Sequence, residues 1–189
     1  MSKIYVEKLV LKDEFHNLKP QTFEFKPGIN LIVGENGSGK SSLLTLLAGL
    51  HSEVKKEVIL TEETIINGVE TMYFDTEKDN PRTKDLQLQA DYGYGLLSQF
   101  HSHGEAMMPI ILAIKGAKNK VIFVDEPESG ISLFNQMKIQ SAFKAAEKNG
   151  CQIFASTHSY VLIKLAKEVF DMQTLAWVPS ETFLSDLFS

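Results

Sequence analysis

The stretch that decides the fold runs Leu31-Ile32-Val33-Gly34-Glu35-Asn36-Gly37-Ser38-Gly39-Lys40-Ser41-Ser42. Its spacing, G-x-x-x-x-G-K-S, is that of the P-loop, in which glycines let backbone amides turn inward around phosphate oxygens. An apolar run at 29–33 precedes the loop and a leucine-rich segment at 42–48 follows it. The order of strand, loop and helix that the motif requires is therefore present.

We predict that this loop binds a nucleoside triphosphate together with Mg²⁺. The lysine adds a positive charge, the serine after it supplies a hydroxyl for the metal, and the following helix directs its positive dipole end at the phosphates. Ser41 is thus a predicted metal ligand. The predicted nucleotide-binding residues of the loop are Gly34, Glu35, Asn36, Gly37, Ser38, Gly39, Lys40, Ser41 and Ser42.

Length and composition indicate one globular domain. The chain has 189 residues, of which 43% are hydrophobic and 23% charged, and its net charge of −5 argues against a broadly basic surface for nucleic acid. The single cysteine, Cys151, heads an apolar run and is predicted to be a buried small hydrophobe in a reducing compartment. We find neither a signal-peptide pattern nor an apolar stretch approaching ~20 residues, so a cytoplasmic location is expected.

Two later strands are predicted to end in functional side chains. The apolar run 121–124 is followed by Asp125 and Glu126, and the run 152–156 by Thr157 and His158. Ligands bind at the carboxyl edge of such parallel sheets. We predict that Asp125 holds Mg²⁺ directly or through water, that Glu126 activates the attacking water as general base, and that His158 reaches the γ-phosphate.

Four segments allow two interpretations each. Phe15 or His16 could contact the base, or a loop aromatic could simply fill a packing gap. The acidic loop 75–82 could be a solvated connection or could contact metal or water. Ser102-His103-Gly104-Glu105 has the form of a helix capping box and also of an anion site. The apolar tail 183–188 could pack on the body or dock a partner.

Periodicity and turn signals predict the remaining elements. Asn67-Gly68 favours a hairpin turn, and Trp177 falls in a predicted edge strand. The other predicted strands are 5–11, 22–25, 57–60, 64–66 and 71–74, and the predicted helices are 106–114, 132–148 and 160–167, with 85–92 and 95–100 helical in part.

The chain resembles an ABC-type P-loop ATPase, because four motifs occur in the order of that family: the P-loop, Ser102-His103-Gly104-Glu105, the segment 121–127 and Ser156-Thr157-His158-Ser159. It looks like the non-transporter branch, which includes SMC-type, RecF-like and OLD-type proteins and small stand-alone ATPases. The resemblance implies an α/β fold with a mixed sheet core, N-terminal antiparallel strands and a reduced helical lobe at about 75–118, within one domain spanning 1–189. It also implies ATP and Mg²⁺ as cofactors.

The resemblance further implies a head-to-tail homodimer formed on ATP. Ser102, Gly104 and Glu105 would be the signature motif, with Ser102 and Gly104 touching a γ-phosphate bound by the partner copy, and residues 128–132 would form the D-loop.

The chain departs from the family pattern at several places. No glutamine follows the strand ending at Phe74, where Asp75 and Glu77 stand instead, and Ser129 and Ser132 occupy the D-loop where many relatives have an aspartate. The segment between Phe74 and Ser102 is too short for coiled-coil arms.

Three functions follow from this pattern. The favoured function is an ATPase that drives an unidentified partner protein or nucleic-acid process. A nucleotide-gated binding module with little hydrolysis is the alternative. The motor subunit of a transporter is less favoured, because the signature lacks L-S-G-G-Q.

Overall fold

The computed structural model of the chain describes residues 3–51, 53–60, 68–75 and 107–187. Within these ranges the P-loop connects a buried strand to the first helix, as its flanking residues predict. The strands are β1 (Val6–Leu11), β2 (Gln21–Glu24), β3 (Ile29–Val33), β4 (Lys56–Leu60), β5 (Glu70–Asp75), β6 (Lys120–Asp125), β7 (Gln152–Ser156), β8 (Glu168–Asp171) and β9 (Ala176–Pro179). The helices are α1 (Lys40–Leu47), α2 (Met108–Gly116), α3 (Leu133–Lys148), α4 (Tyr160–Ile163) and α5 (Ser180–Asp186).

The described strands form two sheets. The larger has the order β5-β6-β7-β3-β8-β9, with neighbouring strands parallel except for the antiparallel pair β8–β9. The smaller has the order β2-β1-β4 and is antiparallel. The predicted mixed sheet with N-terminal antiparallel strands is thereby confirmed. The carboxyl ends of β3, β6 and β7 meet at one edge, which positions the three sequence motifs together.

Both faces of the larger sheet are covered. Along β6, Ile122 and Val124 point into a core shared with α2 and α3, while Val121 and Phe123 point into a second core shared with α1 and the smaller sheet. This alternation follows from the two-residue period of a strand. It explains why the run 121–124 is apolar throughout: a strand buried on both faces has no solvated position.

A buried amide joins the two sheets. The side chain of Gln152, fully buried in β7, accepts hydrogen bonds from the backbone N–H groups of Tyr5 and Val6, each at 2.8 Å. Its amide nitrogen donates to the carbonyls of Val6 and Lys26, each at 3.0 Å. One side chain thus satisfies four backbone groups at the junction between the smaller sheet and β7.

The structure differs from the sequence predictions at three elements. Strand β8 was not predicted, and it inserts between β3 and β9. Helix α4 ends at Ile163 instead of continuing to 167, because the first residue of α5 binds the chain beyond it. The hydroxyl of Ser180 donates to Ala166 O at 2.7 Å, and the N–H of Ser180 donates to Lys167 O at 3.0 Å. Helix α2 begins at Met108 rather than at 106, with a proline in its first turn.

Several predictions lie outside the described residues. They are the strand 64–66 with its turn at Asn67, the helical segments 85–92 and 95–100, most of the acidic loop 75–82, and the motif at 102–105. The lobe at 75–118 and the extent of the domain stay predictions, although α2 packs against α3 in the first core. In the tail, Leu184 is buried and Phe183 packs beside it, whereas Leu187 is exposed.

Candidate functional site

Two positions of the P-loop, 34 and 39, require glycine because other parts of the chain lie too close for a Cβ atom. Gly34 has φ +142°, and a Cβ there would lie 2.9 Å from Ser38 Oγ and 3.1 Å from a side-chain carbon of Met172. Gly39 has φ +98°, and a Cβ there would lie 2.7 Å from a methyl carbon of Leu18. The loop therefore wraps closely against neighbouring segments, and its backbone conformation is closed to other residues.

Lys40 lies buried at the centre of the loop. Its ammonium group donates to the carbonyl oxygens of Gly34, at 3.1 Å, and Glu35, at 3.0 Å. Burial lowers the pKa of this ammonium, and the negative charges of Glu126, Asp125 and Glu128 oppose that shift. The surrounding carbonyls and acids thus help to keep a cation where phosphate oxygens would lie.

Two predicted metal ligands are brought together although 84 residues separate them. Ser41 Oγ donates to Asp125 Oδ1 at 3.1 Å. Mg²⁺ prefers octahedral geometry at about 2.1 Å, which places neighbouring ligand oxygens about 3 Å apart, so this pair fits the ion. Among the described residues there is no group of three or more His, Cys, Asp or Glu side chains arranged for a metal. Phosphate and water would have to supply the remaining ligands, as is usual for Mg²⁺.

Ser156, at the end of β7, connects Asp125, the last residue of β6, with Glu126, which follows it. Its hydroxyl donates to the same carboxylate oxygen of Asp125 that receives Ser41, and it accepts the backbone N–H of Glu126 at 2.9 Å. The sequence predicts no role of its own for Ser156, which is the last residue of a buried strand and precedes the residues noted at 157 and 158.

Glu126 and His158, the predicted catalytic pair, face each other. His158 Nε2 lies 3.6 Å from Glu126 Oε1. Glu126 adopts φ +44°, a left-handed conformation that costs a residue other than glycine about 1 kcal/mol or more and that clusters at functional sites. The turn that begins at Glu126 therefore places this residue at the carboxyl edge of the sheet.

A cleft of about 230 Å³ opens at the P-loop, and its lining includes Glu126. His16 and Asn17 also line it. His16 Nδ1 lies 2.9 Å from Ser42 Oγ, and the Asn17 amide donates to Gly37 O. Phe15 is buried beneath the His16 ring, with ring centroids 4.1 Å apart, so Phe15 has the packing role. Contact between His16 and a base stays a prediction.

The strand register places Asp75 beside Asp125, since the two are partners in the β5–β6 pairing. The predicted signature residues Ser102, Gly104 and Glu105 lie outside the described residues, so their relation to the cleft is untested. No helix in the described ranges is long and apolar enough to cross a bilayer.

Two family models match parts of the chain. Residues 13–50, which contain the P-loop, match a family described as "AAA domain". Residues 96–164 match one described as "AAA domain, putative AbiEii toxin, Type IV TA system". Each match covers less than half of the 189 residues, but together they include the P-loop, Asp125, Glu126 and His158.

Curated relatives come from more than one functional group. A "Putative ABC transporter ATP-binding protein" of Bacillus thuringiensis is 25% identical over 161 residues, covering 67% of this chain and 29% of that protein. The "DNA double-strand break repair Rad50 ATPase" of Thermococcus kodakarensis is 41% identical over 96 residues, covering 48% of this chain and 10% of that protein. The "Zinc import ATP-binding protein ZnuC" of Histophilus somni is 26% identical over 179 residues, covering 84% and 65%. The chain thus spans under a third of the first two relatives.

Solved structures identify the fold. One, described as an inward-facing conformation of a putative metal-chelate type ABC transporter, aligns with a TM-score of 0.58 at 20% identity over 97% of this chain and 86% of that one. Another is a dimeric ATP-binding cassette in a post-hydrolysis state bound to ADP and Pi, with a TM-score of 0.54 at 16% identity over 90% and 92%. The fold is that of an ABC-type ATPase domain, in the α/β class of P-loop proteins.

Proposed function

We propose that the chain is a Mg²⁺-dependent ATPase that binds ATP on residues 34–42, pairs head to tail with a second copy while ATP is bound, and separates after hydrolysis. The observation that carries the proposal is the meeting of Ser41, Asp125 and Glu126 at the edge of one sheet, beside the buried ammonium of Lys40. A candidate phosphate-binding loop, two candidate metal ligands and a candidate base therefore lie next to one another.

Each residue has a separate part in this proposal. The P-loop amides and the ammonium of Lys40 bind phosphate oxygens, and Ser41 with Asp125 would hold Mg²⁺. The metal ion would neutralise charge on the phosphates during transfer. Glu126 takes a proton from the attacking water, and His158, 3.6 Å away, contacts the transferred phosphoryl group. These roles need little motion, because Ser156 already fixes Asp125 and the backbone of Glu126.

The head-to-tail pairing is supported by a similar fold that was solved as a dimer with ADP and Pi. In the proposal, residues 1–189 form one ABC ATPase domain, and Ser102, Gly104 and Glu105 of one copy cover the nucleotide of the other. Interactions of this kind make ATP a bridge between subunits, so the energy released on hydrolysis can be coupled to a partner protein or to nucleic acid. We place the chain in the non-transporter branch because its signature segment lacks L-S-G-G-Q.

The test is Glu126→Gln, which keeps the size of the side chain and removes its ability to accept a proton as a base. We expect hydrolysis to fall by roughly 100-fold or more, while ATP still binds and dimers accumulate in light scattering with ATP and Mg²⁺. Glu57→Gln, an exposed carboxylate in β4, is the matched control and should behave as the unmodified protein. A Glu126→Gln protein that remains monomeric at saturating ATP would contradict the proposal.

A second candidate is a nucleotide-gated binding module with negligible hydrolysis. It is favoured by Asp75, an acid in register with Asp125 where relatives have the glutamine that contacts metal and water. Turnover measured over a range of protein concentrations separates the two. A rate per subunit that rises with concentration supports the dimeric ATPase, whereas no turnover at any concentration supports the module.

A further inference from the structure

We propose that Glu128 is a positioning residue for hydrolysis: its carboxylate holds the backbone on both sides of His158 and so sets the distance between that imidazole and Glu126. This inference rests on the proposed ATPase function and adds to it a residue that touches neither nucleotide nor metal. The described structure contains the whole arrangement, because residues 125–131 and 156–162 all lie in its ranges.

One carboxylate oxygen makes all of the contacts. Glu128 Oε1 accepts hydrogen bonds from the hydroxyl of Thr157 at 2.8 Å, from the N–H of His158, and from the N–H of Ser159 at 3.0 Å. The hydroxyl of Thr157 also accepts the N–H of Ser159 at 2.9 Å. Three consecutive residues that follow β7 are therefore tied to a single atom, and hydrogen bonds to a charged group are about twice as strong as neutral ones.

Glu128 belongs to the same turn as Glu126, so its hydrogen bonds join that turn to the segment around His158. Glu128 follows Glu126 by two residues, and the turn is closed by hydrogen bonds from Ser129 N to Glu126 O at 3.0 Å and from Ile131 N to Glu128 O at 3.2 Å. Pro127 between them is buried. Since proline also fixes its own φ, this short hydrogen-bonded turn limits how far Glu126 and Glu128 can shift relative to each other.

The segment around His158 is also fixed on its far side. The hydroxyl of Ser159 caps α4 by accepting the N–H of Leu162 at 3.2 Å, and it donates to Gln136 Oε1 in α3 at 2.8 Å. Thr157 N–H donates to Ile32 O at 3.1 Å, which ties the segment to β3. With its backbone held in this way, His158 keeps freedom mainly in its imidazole ring, the group that has to meet the phosphate.

Retaining this carboxylate costs stability. Burial raises the pKa of Glu128, hydrogen bonds from His158 N–H and Thr157 oppose the shift, and the second oxygen, Oε2, is buried without a partner among the described residues. An apolar or amide side chain would avoid that cost. The presence of a carboxylate at this costly position is explained if its contribution is to place His158 and not to stabilise the fold.

A double-mutant cycle tests the inference. Glu128→Ala should lower kcat by roughly 100-fold, as expected for a catalytic group displaced by about 1 Å. It should leave the affinity for ATP nearly unchanged, because the hydrogen bonds of the Glu128 carboxylate go to residues 157–159 and none goes to the P-loop. Glu128→Gln keeps an acceptor at Oε1 but forms weaker, neutral hydrogen bonds, so it should restore only part of the rate. In a His158→Ala background, adding Glu128→Ala should cost less than about threefold, since coupled residues are not additive. Additive losses, or a parallel loss of ATP affinity, would overturn the inference.

A measurement without nucleotide keeps this inference separate from the proposed ATPase. The NMR signals of the His158 ring should shift or broaden in Glu128→Ala but not in Glu57→Ala, whether or not the protein hydrolyses ATP. If Glu128→Ala does not fold, Thr157→Val removes one of the three donors and should cause a smaller change of the same kind. Unchanged His158 signals in the variant that folds would refute the positioning role, whereas shifted signals without any turnover would refute only the proposed ATPase.

Discussion

Replacing Gln152 by alanine should destabilise the whole domain, because this amide connects the two sheets. The amide oxygen of Gln152 accepts hydrogen bonds from the N–H groups of Tyr5 and Val6, and its amide nitrogen donates to the carbonyls of Val6 and Lys26. The side chain is fully buried, so bulk water has no access to these groups in the native structure. The substitution would therefore orphan several backbone groups at once.

The magnitude follows from those groups. Each buried N–H left without a partner costs about 1–3 kcal/mol, and the orphaned carbonyls and the small cavity add to that, so we expect a loss of roughly 4 kcal/mol. A domain of this size is stable by about 5–15 kcal/mol in total. At about 2–4 °C per kcal/mol, the melting temperature should fall by roughly 8–16 °C.

Equilibrium unfolding in urea, followed by circular dichroism, measures this change directly. Gln173→Ala, a glutamine exposed in the β8–β9 turn, is the control and should stay within about 0.5 kcal/mol of the unmodified protein. Gln152→Glu separates the two halves of the amide, because it keeps the acceptor and removes the donors. It should be destabilised at neutral pH and less so in acid, where the carboxyl can donate one bond. A loss below about 1 kcal/mol in Gln152→Ala would refute the reasoning.

Three further outcomes are expected. Lys40→Ala should lose nucleotide affinity because the P-loop lacks its cation, and unchanged binding in calorimetry would refute the phosphate site. The Cys151 thiol is buried with a raised pKa, so a thiol reagent should modify it only as fast as the protein unfolds; rapid labelling of the native protein would contradict this. Burial raises the pKa of Glu128 above 4.5, so its ionised form costs the folded state stability above the folded pKa. Glu128→Gln should therefore be the more stable protein at neutral pH, with the advantage shrinking as the pH falls towards 4.5; a constant difference across that range would contradict the assignment.

Much of the fold could be predicted because its elements carry strong local patterns. The P-loop with β3 and α1, the doubly buried strands β6 and β7, and the capped helix α3 all appear near their expected positions. Strand β8 was missed because Glu168–Asp171 is only four residues long, with two apolar side chains between two acids. Such a segment forms a strand through its pairing with β3 and β9, which local periodicity cannot reveal.

The chain's own sequence determined the chemistry at the nucleotide edge, because a phosphate cradle is built from consecutive backbone amides and the two acids directly follow an apolar strand. Only the tertiary structure decided which side chains hold that chemistry in place. Ser156 reaches Asp125 and Glu126 across about 30 residues, Glu128 reaches the backbone around His158 over a similar separation, and Gln152 reaches Val6 across 146. These hydrogen bonds join residues far apart in the chain, so they exist only once the strands have been placed side by side.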